Sequence, residues 1–301
     1  MARPALPYNA DTAFAPHQLA PRHMEEHHMD YKAEGACDGI WSDGTQNHAQ
    51  GDTEETALDR LRLVMGTEAL ARVQAARVMV LGLGGVGSSC AEALARGGVG
   101  ELVLVDRDVV APSNINRQAV AYNSTIGQPK TEVMARIVSD INPSCHLTLH
   151  QRFLSKENLA ETLSALPRPD YVVDAIDTVS QKLIIAQWCQ DEGIREVASM
   201  GGANKLDPTR LRFSRIEKTT NDPLARIIRK ECRKRGIHGL EVLCSDESPC
   251  EPEGKAAALG DGGFVREGAS ILGTMSYMPP IMGQMIAGRV ICGLAGLEAR
   301  R

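Results

Sequence analysis

Three kinds of residue in this sequence have chemistry to offer: clustered glycines, carboxylates at the ends of apolar runs, and a few separated cations. Gly82-Leu83-Gly84-Gly85-Val86-Gly87 follows the β-rich run Arg77–Leu81 and opens a helical pattern. Gly82, Gly84 and Gly87 fit G-x-G-x-x-G, and Gly85 adds a further small residue. Such glycines give a tight turn, let backbone approach phosphate closely, and let a helix pack close to a strand. The helix N-terminus beyond them offers free N–H groups and a partial positive charge. Asp106 ends the next apolar run, Glu101–Val105, nineteen residues after Gly87. A carboxylate there can accept from ribose hydroxyls.

The loop and Asp106 suit a dinucleotide or ATP equally, because both present ribose and phosphate. The following segment favours ATP. It is dense in polar groups, among them Asp108, Asn114, Arg117 and Gln118, and Lys130 then starts a helix. A dinucleotide diphosphate is held largely by backbone N–H groups. A triphosphate with a leaving pyrophosphate calls for side-chain cations, which Arg117 and Lys130 supply. Asp174 and Asp177 follow a fourth apolar run, on the same sheet edge. Either one can hold Mg²⁺, which favours a few carboxylates plus phosphate oxygens.

The elements that must position these residues read as follows. Helices are expected at about 55–64 and 68–74. Strands are expected at Arg77–Leu81, Glu101–Val105, Leu147–His150, Tyr171–Val173 and Arg195–Ser199, with helices at Ser88–Arg96, Lys130–Ile141 and Gln181–Glu192 between them. Strand–helix alternation with short connections predicts an α/β, doubly wound, Rossmann-like and mostly parallel sheet with a C-terminal extension. Beyond Gly201 the alternation weakens. Arg210–Arg215 reads as a strand, and Asp222-Pro223 opens a helix with Asp as N-cap. Leu224, Ile227, Ile228 and Cys232 form its expected core face, and Arg226, Arg229, Lys230, Arg233 and Lys234 its outer face.

The chain has 301 residues, 43% hydrophobic and 24% charged, enough for one large domain or two ordinary ones. Residues 1–56 hold three basic and ten acidic residues and five of the eight histidines, without apolar periodicity. They read as a disordered acidic extension, with 57–301 as the folded part. Lys205–Arg235 holds eleven Lys/Arg against four Asp/Glu, a footprint for a polyanion. The eight cysteines include no C-x-x-C pair, which removes the usual structural zinc signature. They read as reduced thiols in a cytoplasmic protein, with mitochondrial or membrane-associated locations as alternatives. Cys244 and Cys250 flank an acidic loop and read as incidental thiols rather than thioester carriers. The apolar stretch Ile271–Ile291 is interrupted by Gly, Pro and Arg289 and reads as buried helix or dimer contact.

Taken together, G-L-G-G-V-G, V-D-x-D, S-N-x-N-R-Q, G-Q-P-K, I-N-P and D-A-I-D, spread over about 60–207, resemble the ubiquitin-activating-type adenylating enzymes. That family includes the molybdopterin- and thiamine-biosynthesis adenylyltransferases. The resemblance implies ATP and Mg²⁺ as cofactors and no zinc. It implies Asp106 as ribose ligand, Asn114, Arg117 and Lys130 as polyphosphate ligands, and Asp177 as the Mg²⁺ carboxylate. It also implies a homodimer in which Arg60, or alternatively Arg62, enters the partner's ATP site. Within the family, Gly201–Thr209, Lys218-Thr219, Asp222–Arg226 with the rest of the basic helix, Ser245–Pro249 and the end from Gly273 to Leu294 resemble the branch of tRNA threonylcarbamoyladenosine dehydratases. That branch implies tRNA as partner, with residues 205–301 facing it. The basic helix is then the tRNA contact. It implies adenylation of the threonyl carboxylate and ring closure by the ureido group of the same side chain. The alternative is adenylation of a ubiquitin-like or sulfur-carrier protein's C-terminus, and a sulfur-carrier or cysteine-desulfurase system is a further partner the family admits. An NAD-dependent oxidoreductase would need an acid–base residue, and His146, His150 and His238 lie in no recognisable motif.

Overall fold

The computed structural model describes residues 55–151, 157–251 and 272–297. The expected extension 1–56 lies outside them apart from its last two residues. Fifteen helices and strands follow in order among the described residues. They are α1 (Asp59–Met65), α2 (Thr67–Ala75), β1 (Arg77–Leu81), α3 (Gly85–Arg96), β2 (Glu101–Val105), α4 (Lys130–Ile141), β3 (His146–His150) and α5 (Leu159–Ala165). The chain continues with β4 (Tyr171–Asp174), α6 (Val179–Glu192), β5 (Arg195–Ser199), β6 (Leu211–Arg215), α7 (Pro223–Arg235), β7 (Glu241–Ser245) and α8 (Met278–Leu294).

The seven strands form one sheet in the order β3-β2-β1-β4-β5-β7-β6, parallel except for β6. Alternation along each strand divides the core. Val78, Val80, Leu102 and Leu104 face α2, α3 and α8, while Met79, Leu81, Val103 and Val105 face α5 and α6. Both faces are covered, so these strands read as unbroken apolar runs rather than alternating ones. The order reverses between β1 and β4, since β2 lies on one side of β1 and β5 beyond β4. The helices that follow β1 and β4 therefore lie on opposite faces of the sheet, and a crevice opens at the carboxyl edge between them.

Two elements escape the sequence pattern: α5, and β7, which pairs parallel with β5 and antiparallel with β6. The sheet thus runs on through the C-terminal part. The apolar C-terminal stretch resolves into α8, a core helix. Met278, Met282, Ile286 and Val290 are buried at every fourth position. Gly283 lets α8 lie against α3, because a Cβ there would stand 2.4 Å from the Val86 carbonyl oxygen. Pro279 sits in its first turn, where no intrahelical N–H is required. Ile271 lies outside the described residues. Among those described, no helix is long and apolar enough to cross a membrane.

Helix α7 begins as expected. Asp222 Oδ1 accepts from the Ala225 N–H at 2.9 Å, and Gly236 ends the helix in the left-handed region. Its faces differ from the expectation in two positions. Ala225, Ile228 and Cys232 are buried, but Ile227 is 47% exposed. Arg229 is half-buried and donates to the Thr219 carbonyl and hydroxyl oxygens at 2.6 and 2.7 Å. It lies one turn beyond Ala225, on the inward flank, and ties the helix to the preceding turn.

Candidate active site

The carboxyl ends of β1, β2 and β4 and the first turn of α8 enclose a cleft of about 660 Å³. Three glycines shape its floor. Gly82 has φ +86°, and a Cβ there would meet the Ala175 carbonyl oxygen at 2.9 Å, so the loops after β1 and β4 touch only because it is glycine. A Cβ on Gly87 would fall 1.7 Å from the Gly82 carbonyl oxygen, which makes this the tightest point of the turn. At Gly84 a Cβ would meet nothing within 4 Å. It borders the cleft, and a side chain there would stand where a ligand can. Gly84 is also the N-cap of α3 and no side chain caps that helix, so the first-turn N–H groups stay available to an anion. Gly85 makes room for two neighbours, Pro279 and the Arg117 stem, at 2.7 and 3.2 Å from an added Cβ.

Asp106 holds the glycine loop as well as bordering the cleft. Its Oδ2 accepts from the Leu83 N–H at 2.5 Å and its Oδ1 from the Asp108 N–H at 2.7 Å. Burial raises its pKa above the ordinary aspartate value, and the charge of Lys130 opposes that rise. Lys130 opens α4 with only 3% of its side chain exposed. Its ammonium lies 3.3 Å from Asp108 Oδ2. Arg117 donates to the Ser113 carbonyl and to Asn116 Oδ1, at 3.0 and 2.8 Å. Gln118 is buried, and its Oε1 has no hydrogen-bond partner among the described residues. A buried acceptor left unpaired is costly, and a bound donor would satisfy it.

The two candidate metal carboxylates separate cleanly. Asp174 is fully buried, paired with Lys182 at 3.0 Å, and accepts from the Ile176 N–H. It does not border the cleft. Asp177 does, and it accepts only from the Thr178 hydroxyl, at 3.2 Å, among the described residues.

The structure thus brings Gly82, Gly84, Gly85, Asp106, Asp108, Arg117, Gln118, Lys130 and Asp177 to one cleft. Gly87 and Asn114 lie behind it. Asn114 accepts from the Ala111 N–H at 3.0 Å and builds the turn that presents Arg117 and Gln118. Arg60 is exposed on α1, outside the cleft of its own chain. Arg62 is engaged with Asp59 at 2.6 Å in the same helix. Sequence reasoning singled out Gly201–Thr209 and Gly273–Leu294 only as carriers of the branch resemblance and did not bring Gly202, Ala203, Thr274, Pro279 and Met282 together as the far wall of this cleft. Its only local signals are the Gly-Gly-Ala after β5 and the proline pair that starts α8. Among the described residues no cysteine borders the cleft, and burial pushes the Cys244 thiol upward, which keeps it protonated. Of the basic helix, Arg226, Lys230, Arg233 and Lys234 are exposed, and Lys234 pairs with Glu231 at 2.6 Å.

Fixed cations and a free helix N-terminus at a switch point are groups that can engage the phosphates of a nucleotide, with the Asp177 carboxylate beside them. The sequence matches the profile of the ThiF family over residues 58–299. It is 39% identical over 238 residues to tRNA threonylcarbamoyladenosine dehydratase of Bacillus subtilis, covering 78% of this chain and 93% of that protein. It is 36% identical over 196 residues to the Escherichia coli protein of the same name, covering 62% and 72%. The crystal structure of E. coli tRNA N6-threonylcarbamoyladenosine dehydratase in complex with ATP superposes with a TM-score of 0.70. That match has 29% identity and covers 81% of this chain and 96% of the other.

Proposed function

The chain belongs to the ThiF family, and from that premise we propose that it is an ATP-dependent tRNA threonylcarbamoyladenosine dehydratase. The observation that carries this reading is the cleft itself, set in a chain that covers 93% of the Bacillus subtilis dehydratase and 96% of the Escherichia coli dehydratase structure. ATP is consumed as a substrate. Its ribose lies toward Asp106, and its phosphates lie against the α3 N-terminus, Arg117 and Lys130.

The chemistry follows from what a carboxylate lacks. Its oxygen is a poor leaving group, so the threonyl carboxylate attacks the ATP α-phosphorus and pyrophosphate departs. The resulting acyl-adenylate carries AMP as a competent leaving group. The ureido group of the same side chain attacks the activated carbonyl, a five-membered ring closes, and AMP leaves. The nucleophile is tethered, so proximity lowers the barrier without a protein nucleophile. Arg117 and Lys130 stabilise charge that moves onto the departing phosphates. Asp177 suits Mg²⁺ by its oxygen donors, which no cation among the described residues occupies. With phosphate oxygens it would hold the ion, which supplies charge neutralisation.

The exposed cations of α7 serve the tRNA backbone. Arg60 serves a second copy of the chain. It is exposed without a partner among the described residues, and beside it Leu63 and Val64 are 82% and 83% exposed. Adjacent bare aliphatics on one short helix fit a covered interface.

The test is mass spectrometry of nucleosides from tRNA bearing threonylcarbamoyladenosine, after incubation with the protein, ATP and Mg²⁺ and mild, near-neutral digestion. ATP-dependent loss of one water from that nucleoside is expected. No loss, together with ATP–pyrophosphate exchange only when a carrier protein is added, assigns the protein to carrier activation instead.

A further inference from the structure

The nucleotide does not fill the cleft. Asp106 and Lys130 stand at the ends of β2 and α4, on one side of β1. Gly202, Ala203, Thr274, Pro279 and Met282 stand on the other side, beyond β4. With ribose toward Asp106 and phosphates on the glycine loop, this second half faces the α-phosphate from the side away from the ribose. It is where the carboxylate-bearing substrate must arrive, and Ala203, Pro279 and Met282 give it apolar side chains.

One exposed aromatic residue belongs to the segment that forms that half of the cleft. Tyr277 is the N-cap of α8, placed between Thr274 and Pro279, which both border the cleft. It is 36% exposed, and the exposed apolar side chains Met275 and Leu272 lie in the same segment. Its hydroxyl donates to the Leu206 carbonyl oxygen at 2.8 Å, which anchors the far end of the side chain. Leu206 is itself held, its N–H donating to Glu247 Oε1 at 2.9 Å.

The backbone approaching Tyr277 is equally fixed. The Asn204 N–H donates to the Gly273 carbonyl at 2.8 Å, and the Gly273 N–H donates back to Asn204 Oδ1 at 2.7 Å. Asn204 adopts φ +56°, a conformation kept here by that reciprocal pair. Asn116 Nδ2 donates to the Thr274 carbonyl at 3.1 Å, joining this segment to the turn that carries Arg117. A ring held this way loses little freedom on binding, so its contact energy is retained.

Cations flank the same wall. Gly201 packs against Asp222, with an added Cβ at 3.4 Å from Oδ1, so the N-terminus of α7 stands beside the cleft. Exposed Arg226 and Lys230 follow on it. An exposed aromatic face, with exposed cations on a helix that starts near the same wall, suits an unpaired, splayed base of an RNA loop and its phosphates.

We propose that Tyr277 is a stacking platform for an unpaired base of the RNA substrate, set to deliver the modified nucleoside to the far half of the cleft. This rests on the dehydratase reading of the same site.

The test measures affinity for an anticodon stem-loop RNA bearing threonylcarbamoyladenosine, by fluorescence anisotropy, with turnover followed separately on full-length tRNA. Tyr277→Ala is expected to weaken RNA binding by about 10-fold to 100-fold, the loss typical of removing one stacked base. ATP affinity should be unchanged, which also shows that the variant is folded. Tyr277→Phe and Tyr277→Trp keep a ring and should stay within about threefold of the wild type, well inside that stacking loss. RNA affinity unchanged in Tyr277→Ala overturns the proposal, and so does a loss in Tyr277→Phe equal to that in Tyr277→Ala, since the hydroxyl tether would then be what matters. Turnover by the wild type alongside either result leaves the dehydratase reading standing. A wild type that neither binds the stem-loop nor turns over tRNA removes both.

Discussion

Asp174 and Asp177 sit three residues apart at the end of one strand and do opposite work. Asp174 is sealed in the fold with Lys182, and Asp177 stands in the cleft. Asp177→Asn should therefore leave thermal stability unchanged and reduce ATP–pyrophosphate exchange by at least about 100-fold, the scale of losing one charge-handling group. Asp174→Asn should do the reverse first, because it leaves Lys182 buried and unpaired, at about 3–5 kcal/mol of stability. Chemical denaturation beside an exchange assay separates the two, and a stable but inactive Asp174→Asn variant would contradict the division. Glu196 gives a pH-dependent case. Burial pushes its pKa well above 4.5, nearby Asp174 adds to the rise, and its Oε1 has no hydrogen-bond partner among the described residues. The folded protein thus binds this proton more tightly than the unfolded chain does. The stability it contributes is complete below pH 4.5 and is lost as pH rises toward the raised folded value. Glu196→Gln should raise the melting temperature at pH 8 by about 2–4 °C, as for a relief of order 1 kcal/mol. The gain should vanish at or below pH 4.5. An equal gain at both pH values, read by calorimetry, would place the effect in packing instead.

At the scale of elements, what the sequence discloses is what local pattern can carry. β1, β2 and β4 are legible because strands covered on both faces are continuous apolar runs, and the glycine loop is legible because its context is fixed on both sides. β7 is not. Leu240–Cys244 is apolar enough, but it sits in a charged region, and its place between β5 and β6 comes from long-range pairs such as Phe213 with Leu243. The far wall of the cleft is hidden for the same reason: Gly202 and Pro279 are remote in sequence and meet only in the fold. Helix α7 shows a finer limit. Its period is legible, yet a period does not say which residue takes the shoulder. Ala225 and Arg229 turn inward where the spacing expects Ile227. The prediction for this helix changes accordingly. Reversing the charge of Arg226, Lys230 and Arg233 should weaken tRNA binding and lower the slope of log affinity against log salt by about 0.7–0.9 for each phosphate no longer neutralised. ATP affinity should not move. Arg229→Ala should lower thermal stability and leave that slope alone. Filter binding across a salt series decides, and a slope unmoved by the triple reversal would return α7 to a solvated face.

At the scale of the whole molecule, the cleft holds cations from its own chain, and α1 carries two more arginines outside it, of which Arg62 is paired with Asp59. Arg60 is outside the cleft, and exposed Leu63 and Val64 follow it on a seven-residue helix. A helix this short draws its stability from packing, so bare aliphatics on it fit the proposed cover by a second copy. In the proposed two-fold dimer the arrangement is reciprocal, each subunit lending its arginine to the other. Complementation tests this without measuring the interface. Arg60→Ala and Asp177→Ala should each be inactive alone. After the two are unfolded together and refolded at equal concentration, half of the dimers are mixed. In each mixed dimer one site combines the intact Asp177 of one subunit with the intact Arg60 of the other. Activity should return to about one quarter of the wild-type level, the fraction that random two-fold pairing allows. An arginine acting within its own chain gives no recovery, because every site then lacks one group or the other. The same experiment with Arg62→Ala decides between the neighbours. Arg62 is held by Asp59 at 2.6 Å, so Arg62→Ala should stay active alone and have nothing to complement.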